Sequence, residues 1–350
     1  MLDTVVVGMS GGVDSSVTAL LLKQQGYRVI GMFMKNWEEG EECPAGRDFA
    51  DVARVCEEID IPFYSVNFVQ EYRDNVFSYF LQDLRAGHTP NPDILCNREI
   101  KFKIFLQKAL DLGASFLATG HYSRIQEQQL LKAKDSNKDQ SYFLYTLRKS
   151  ILDKVLFPLG ELEKPQVRAL ARDYGLSTSE KKDSTGICFI GKRDFRVFLS
   201  GYIAYQPGNF ENSSGKVIGK HHGVAYYTIG QRKGLAIGGP GNAWFVVGKD
   251  VLRNVVIIEQ GADHPNLYKQ SLTATDITWI SEEPPGPFPY CCQAKVRYRQ
   301  ADQPCTITHE SPSRLHVHFN SPQRAITPRQ SIVFYQGDLC LGGAIIENAV

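Results

Sequence analysis

Reactive chemistry is written into this sequence at three places. The first is Gly8-Met9-Ser10-Gly11-Gly12-Val13-Asp14-Ser15-Ser16, which follows an apolar run and leads into residues with helical spacing. A glycine-rich turn that opens a helix presents several backbone N–H groups to an anion, the helix dipole adds to the attraction, and serine hydroxyls supply further donors. The loop is thus built to hold phosphate. Its glycine spacing differs from that of the common nucleotide triphosphatase loop, no Gly-Lys-Ser/Thr follows, and the three-glycine dinucleotide fingerprint is absent. A Gly-Gly turn can also be no more than a tight strand-to-helix connection. The second place is Thr89-Pro90-Asn91-Pro92-Asp93-Ile94-Leu95-Cys96-Asn97, where two prolines stiffen an extended loop that ends as a helix begins. That places Cys96 beside a helix N-terminus, with Arg98, Lys101 and Lys103 just beyond, a setting that favours thiolate. Asp93, on the same loop, is in position to act as a general acid or base. The third is Lys181-Lys182-Asp183-Ser184-Thr185-Gly186-Ile187-Cys188-Phe189, an electropositive segment without helical or strand periodicity. Most lone cysteines are small buried hydrophobes, so local setting alone leaves the reactive and structural readings of Cys96 and Cys188 level.

Positioning these groups requires a scaffold, and the first part of the chain supplies one by alternation. Residues 4–7, 28–34, 63–67 and 116–119 read as buried strands, whereas 15–25, 49–59, 72–85 and 97–112 carry apolar residues at helical spacing. Such alternation predicts an α/β domain with a doubly wound parallel sheet and ligands at the carboxyl ends of its strands. From about Gln206 the pattern changes to short strand-like runs broken by Gly, Pro and Asn. A further break at 261–270 precedes runs at 272–280, 293–298, 306–308, 315–319 and 331–335, which suggest a small barrel. The expected organisation is a catalytic α/β domain over 1–200, a small mostly-β domain over 201–268 and a C-terminal β-barrel over 269–350. In the last, Lys295, Arg297 and Arg299 are expected to alternate along one strand and share a face, with Tyr298 on the other.

Composition bounds the rest. At 350 residues the chain exceeds one hydrophobic core, and 43% hydrophobic with 22% charged residues is ordinary for folded domains. The net charge of +1 gives no electrostatic footprint for nucleic acid. Acids nevertheless concentrate in the first 60 residues and basic residues between Lys132 and Lys233, which solvated faces of opposite sign would equally explain. The start of the chain carries no basic region ahead of Val5-Val6-Val7, and no apolar run reaches membrane-spanning length. The expectation is a cytoplasmic protein outside the membrane. Eight cysteines without a Cys-x-x-Cys pair or zinc spacing point to reduced thiols and to no structural metal site; Cys43, Cys56, Cys291, Cys292, Cys305 and Cys340 read as structural.

Ser10-Gly11-Gly12-Val13-Asp14-Ser15 resembles the signature of the ATP pyrophosphatases, or PP-loop enzymes. These bind ATP, transfer AMP to a carbonyl oxygen and release pyrophosphate; the resemblance implies that Gly8 to Ser15 hold the leaving group and that Asp14 helps hold Mg2+. Further segments sharpen the likeness: Phe33-Met34-Lys35-Asn36-Trp37, Asn91 to Cys96, Ala118-Thr119-Gly120-His121-Tyr122, Asn137 to Leu144, Asp183 to Ile190, Tyr227 to Gly234 and Val296 to Arg299. Together they are similar to the bacterial tRNA-specific 2-thiouridylase family over essentially the whole chain.

This resemblance implies a defined reaction. ATP adenylates the 2-oxygen of a wobble uridine in tRNA, Cys188 carries the incoming sulfur as a persulfide, and Cys96 pairs with Cys188 as sulfur is released. A persulfide carrier protein or a cysteine desulfurase relay is the implied sulfur source. Met34 and Gly120 are implied to line the ATP site. Asn91, Pro92 and Asp93 are implied to meet the target base, and His121, Lys138, Asp139, Gln140, Arg297, Tyr298 and Gln330 to lie at the tRNA. One position departs from the family: Arg329 stands where a glycine usually precedes Gln330. Two other readings compete. An adenylating enzyme that amidates a small metabolite needs an ammonia source and no paired thiols, so alkylation of Cys96 and Cys188 discriminates it. A non-catalytic, ATP-sensing RNA-binding module would release no pyrophosphate on addition of tRNA.

Overall fold

A computed structural model of the chain describes residues 2–38, 45–183 and 194–350; Cys43 and Cys188 lie outside the described residues. The first strands and helices are β1 (Thr4–Met9), α1 (Val13–Gln24), β2 (Arg28–Lys35), α2 (Ala45–Glu58) and β3 (Phe63–Asn67). Two long helices follow: α3 over 69–85, π-helical at Arg73–Phe77, and α4 over 92–111, π-helical at Cys96–Phe105. Then come β4 (Phe116–Thr119), a hairpin of β5 (Arg124–Gln126) and β6 (Gln129–Leu131), β7 (Val155–Leu156), α5 (Lys164–Asp173) and α6 (Phe195–Ser200).

β3, β2, β1, β4 and β7 form a five-stranded sheet in that order, with every pairing parallel. Helices cover both of its faces, which is why β1 is a continuous apolar run. Val5, Val7 and Met9 pack with α1 and α2 residues such as Val17, Leu20 and Val55, whereas Val6 points the other way, into a cluster with Phe102, Phe105 and Leu117. β3 is the exception to the expected burial: it is an edge strand whose Tyr64 and Ser65 are exposed. Strand order reverses between β1 and β4, so the crevice for a ligand lies beyond their carboxyl ends.

The central domain is a four-stranded sheet of β8 (Gly208–Glu211), β9 (Val217–His221), β10 (Trp244–Asp250) and β11 (Val255–Gln260). The C-terminal strands are β12 (Tyr268–Trp279), β13 (Tyr290–Lys295), β14 (Gln303–Ser311), β15 (Arg314–Arg324), β16 (Ser331–Gln336) and β17 (Leu339–Ala349). They run antiparallel in the order β12-β15-β14-β13-β16-β17, and the β12–β17 pairing closes them into a barrel filled by Leu272, Ile307, Val317, Phe319 and Phe334. The hairpin β5–β6 adds to this sheet through Leu131 opposite Leu339. Tyr335 and Cys340 of the barrel and Phe210 and Tyr227 of the central domain belong to the same apolar cluster as α4, so the three parts share one core.

Candidate active site

The loop after β1 is held open by its own hydroxyls. Ser15 Oγ accepts from Ser10 N–H (3.1 Å) and donates to the Gly12 carbonyl (3.1 Å), and Ser16 Oγ donates to the same carbonyl at 2.9 Å. Gly12 caps α1 in an extended conformation without a side-chain cap. The first-turn N–H groups of a helix have no intrahelical acceptor, so those of α1 could serve an anion. Gly11 needs to be glycine twice over: its φ is +72°, and a Cβ would lie 2.7 Å from the Asp48 carbonyl oxygen. Gly120, at the exit of β4, is pressed against the same loop, where a Cβ would come within 2.9 Å of Asp14 C and Ser15 N.

Asp14 is fixed by two residues from later in the chain. Tyr122 Oη donates to Asp14 Oδ1 at 2.7 Å and Lys164 Nζ at 2.6 Å. Lys164 is buried at the start of α5 and also reaches Asp183 (2.9 Å), which in turn pairs with Arg168 (2.8 Å) and Lys138 (2.5 Å). A cleft of about 450 Å³ lined by Lys138, Lys164, Arg168 and Arg172 opens beside this network. Sequence reasoning missed Lys164 and Arg168. Their one local signal is Pro165 in the first turn of α5, which marks a helix start but not which way the lysine turns.

Burial opposes the ionisation of Asp183, but Lys138 and Lys164 outweigh it and hold the carboxyl at about 2, below its ordinary 3.8. With the folded-state pKa depressed, the contribution of this carboxylate to stability is complete above about pH 4 and is lost as pH falls towards about 2. Asp183→Asn is therefore expected to lower the melting temperature near neutral pH, the gap from the unsubstituted chain closing below about pH 3. Thermal melts by circular dichroism across that range check it; a gap independent of pH would assign the effect to packing.

The second reactive segment differs from expectation in one respect. α4 begins at Pro92, with the Asn91 side chain as its cap accepting from Asp93 N–H at 3.1 Å, rather than at Asn97. Proline is suited to the first helical position and Asn to the cap, so the helix starts four positions before Cys96. Cys96 consequently sits one turn inside, buried, where the pull of the helix dipole has weakened. Arg98 and Lys103 are also engaged elsewhere, Arg98 with Glu99 and Asp276 and Lys103 with Glu99. Lys101 turns to the site: its Nζ lies 3.5 Å from His121 Nε2, and its charge acts on Asp93. Asp93 is half-buried, and desolvation raises its pKa against the opposing pull of Lys101. His121 packs between Phe102 and Phe157, with Nδ1 2.6 Å from Thr119 Oγ1; burial and then Lys101 hold its pKa well below the ordinary value, so the ring is neutral. The segment Gly120-His121-Tyr122 thus touches the phosphate loop on one side and α4 on the other. Met34, half-buried near the end of β2, packs against the same apolar cluster as Cys96.

The residues implied to meet tRNA have more internal partners than expected. Asp139 is buried and accepts from Ala133 N–H, Ser141 N–H and Ser141 Oγ, and Gln140 Oε1 accepts from Tyr122 N–H at 2.9 Å. The expected basic strand face does not form. β13 ends at Lys295, whose Nζ turns towards Asp139 (3.7 Å) and Asp302 (3.6 Å), and 296–299 is a turn. Arg297 leaves the strand direction because its guanidinium donates to the Ile229 carbonyl (2.9 Å) and the Ala325 carbonyl (3.1 Å), tying the central domain to the barrel. Tyr298 packs against Phe143 with the rings tilted by 49° and their centroids 4.5 Å apart. Arg329 keeps the left-handed conformation that a glycine would supply, with φ +69°, and its Nε donates to Asp83 Oδ1 at 2.8 Å, offsetting the backbone cost. Gln330 Nε2 donates to the Thr89 carbonyl at 2.5 Å.

Comparison with known proteins gives a consistent picture. Three family models match consecutive parts of the chain: a tRNA methyl transferase HUP domain over residues 3–192, a tRNA methyl transferase PRC-barrel domain over 196–260, and an aminomethyltransferase beta-barrel domain over 269–346. A tRNA-specific 2-thiouridylase MnmA of Protochlamydia amoebophila is 62% identical over 353 aligned residues, spanning 99% of this chain and 93% of that protein. Another, from Halalkalibacterium halodurans, is 54% identical across 99% of this chain and 95% of its own length.

Proposed function

The chain belongs to the tRNA-specific 2-thiouridylase family, and we propose that it performs that chemistry with the residues gathered above. It is an ATP-dependent tRNA-uridine 2-sulfurtransferase. The uridine 2-oxygen attacks the α-phosphorus of ATP, pyrophosphate departs into the N–H groups of residues 10–15, and the adenylated C2 becomes open to sulfur. A persulfide on Cys188 supplies that sulfur. Its terminal sulfur bonds to C2 and AMP leaves; Cys96 thiolate then attacks the Cys188 sulfur, releasing 2-thiouridine and forming a Cys96–Cys188 disulfide, which a thiol reductant reopens.

The observation that supports this reading is that Gly120-His121-Tyr122 meets both the phosphate loop, through Gly120 and the Tyr122–Asp14 hydrogen bond, and Lys101 of α4, whose charge also acts on Asp93. Asp93, with its raised pKa, is suited to exchange a proton with the base or the leaving group. Among the described residues no group of three or more His, Cys, Asp or Glu side chains gathers to cage an ion. Tyr122 and Lys164 both meet Asp14 Oδ1, so a magnesium ion held chiefly by ATP phosphates fits with Asp14 Oδ2 as its protein ligand and would neutralise the leaving group. We assign residues 1–200 to activation and sulfur transfer, and 269–350 to holding tRNA through Arg297, Tyr298 and Gln330. Sulfur arrives from a persulfide carrier. Among the described residues no helix is long and apolar enough to cross a membrane, and we place the reaction in the cytoplasm, where thiols stay reduced. Nucleoside mass analysis of tRNA incubated with the protein, ATP, Mg2+ and a persulfide donor tests the proposal: 2-thiouridine appearing only with ATP supports it, and unmodified uridine with full tRNA binding overturns it.

A further inference from the structure

The loop from Gly87 to Pro92, which carries Asn91 and leads into Asp93, is gripped by both other domains. From the central domain, the half-buried Lys249 donates its Nζ to the Gly87 carbonyl at 2.7 Å, and Thr228 and Thr89 hydroxyls lie 3.2 Å apart. Val251 presses on Gly87 so closely that a Cβ there would fall 2.4 Å from Val251 Cγ2, and Gly87 has φ +76°. From the barrel, Gln330 Nε2 donates to the Thr89 carbonyl, and Arg329 is paired with Asp83 in the last turns of α3, just before the loop. The two gripping domains are joined to each other at Arg297, whose guanidinium reaches the Ile229 carbonyl, next to Thr228, and the Ala325 carbonyl.

We propose that Lys249 and Thr228 are positioning residues, which hold the Gly87–Pro92 loop in the register that presents Asn91 and Asp93 to the target base. This rests on the functional reading above, in which that loop meets the uridine. The physical case is that a lysine is rarely taken out of water to serve one carbonyl oxygen, because desolvation disfavours its charged form. Burial here brings Lys249 down to about 8, and an ammonium kept in such a place gives a stronger and more directional tie than a neutral donor. A loop with two prolines and a left-handed glycine is already stiff, so fixing it at Gly87 and Thr89 fixes the entry of α4 as well. The same ties put the loop under the control of the surfaces on which tRNA would rest. A shift of the central domain against the barrel must move Thr228 and the Gln330 amide relative to one another, and therefore move Thr89.

The test uses the full chain with tRNA, ATP, Mg2+ and a persulfide donor. Lys249→Met, and the isosteric Thr228→Val as the milder change, are expected to lower kcat for 2-thiouridine formation by about tenfold or more while KM for ATP stays within about twofold, since misplacing a reacting group costs turnover rather than nucleotide binding. Lys249→Arg, which retains a charged donor, is expected to recover most of the loss. Hydrogen exchange should rise at residues 87–93 in both substituted chains and stay unchanged in β1 and α1. Native kcat with unchanged exchange in Thr228→Val and Lys249→Met overturns the inference, as does an equal loss in kcat and ATP affinity with exchange raised throughout, which marks general destabilisation. If the unsubstituted chain makes no 2-thiouridine, the functional reading fails, and exchange at 87–93 still decides whether the grip is real.

Discussion

Asp14→Ala is expected to slow release of AMP and pyrophosphate by about 100-fold or more while leaving tRNA affinity nearly unchanged, as befits a group that acts on charge developing in the transition state. The carboxylate accepts from the Tyr122 hydroxyl and the Lys164 ammonium in the first turn of α1, beside the loop proposed to receive the leaving group. On the proposed reading, removing it takes away the protein's ligand to magnesium, and it also releases Lys164 from its position bridging Asp14 and Asp183. The fold should survive. Lys164 still has Asp183 at 2.9 Å, so no buried charge is left alone, and the buried Tyr122 loses one acceptor at a cost of about 1–3 kcal/mol. Pyrophosphate release and gel-shift binding of tRNA, measured on the same preparation, separate the two effects. If the unsubstituted chain yields ADP and inorganic phosphate, the pyrophosphatase assignment is wrong. A parallel fall in tRNA binding would place Asp14 at the RNA and not at the leaving group.

The sequence made the scaffold of this site legible where burial is two-sided and contacts are local. β4 falls at residues 116–119 as expected, because an apolar run bounded by polar turns marks a parallel strand whatever it pairs with, and β3 also falls at 63–67 although it is an exposed edge strand. β7 escaped because two residues, Val155 and Leu156, carry no period. β5 and β6 have three residues each, and their place depends on Leu131 meeting Leu339, more than two hundred positions away. β17 was missed beyond residue 335 because Gly342 and Gly343 interrupt the alternation. Both are glycine for reasons of close approach, since a Cβ at Gly342 would lie 2.1 Å from the Thr278 carbonyl and one at Gly343 2.6 Å from that of Ile332. Lys295, Arg297 and Arg299 show the opposite failure: their alternation satisfies the strand period, yet the chain turns because two carbonyls from other strands and loops capture Arg297. At the site, the phosphate loop and the Asn91–Cys96 turn were visible as local motifs. The cations that organise them were not, because Lys164 meets Asp14 across 150 positions of sequence and no local pattern records such a pairing.

Replacing either cysteine should separate activation from sulfur transfer, because neither thiol is needed to hold ATP. Cys188→Ser is expected to abolish 2-thiouridine while pyrophosphate release in the presence of tRNA continues. Cys96→Ser should also abolish turnover, but with Cys188 left disulfide-linked to the sulfur now on C2 of the uridine, since release requires a thiolate to attack the Cys188 sulfur. The two variants therefore differ in what mass analysis finds on the protein in the absence of reductant: a Cys188 disulfide-linked to the tRNA in one and no sulfur adduct in the other. Cys96 is buried, one turn inside α4 and in the cluster that includes Phe102 and Phe105, so it is shielded from bulk thiols and oxidants. Its attack must come on a sulfur brought into the crevice. A disulfide between the two positions requires their alpha carbons to come within about 7 Å. Peptide mapping of unreduced enzyme after one turnover should then show Cys96 linked to Cys188, and a thiol reductant should restore further turnover. Because Cys96 is enclosed, its alkylation by iodoacetamide should be slow in the resting enzyme and should disappear once the disulfide has formed. Full activity in either serine variant, or only thiols at both positions after turnover, would overturn the two-cysteine mechanism and leave the adenylation step standing on Asp14 alone.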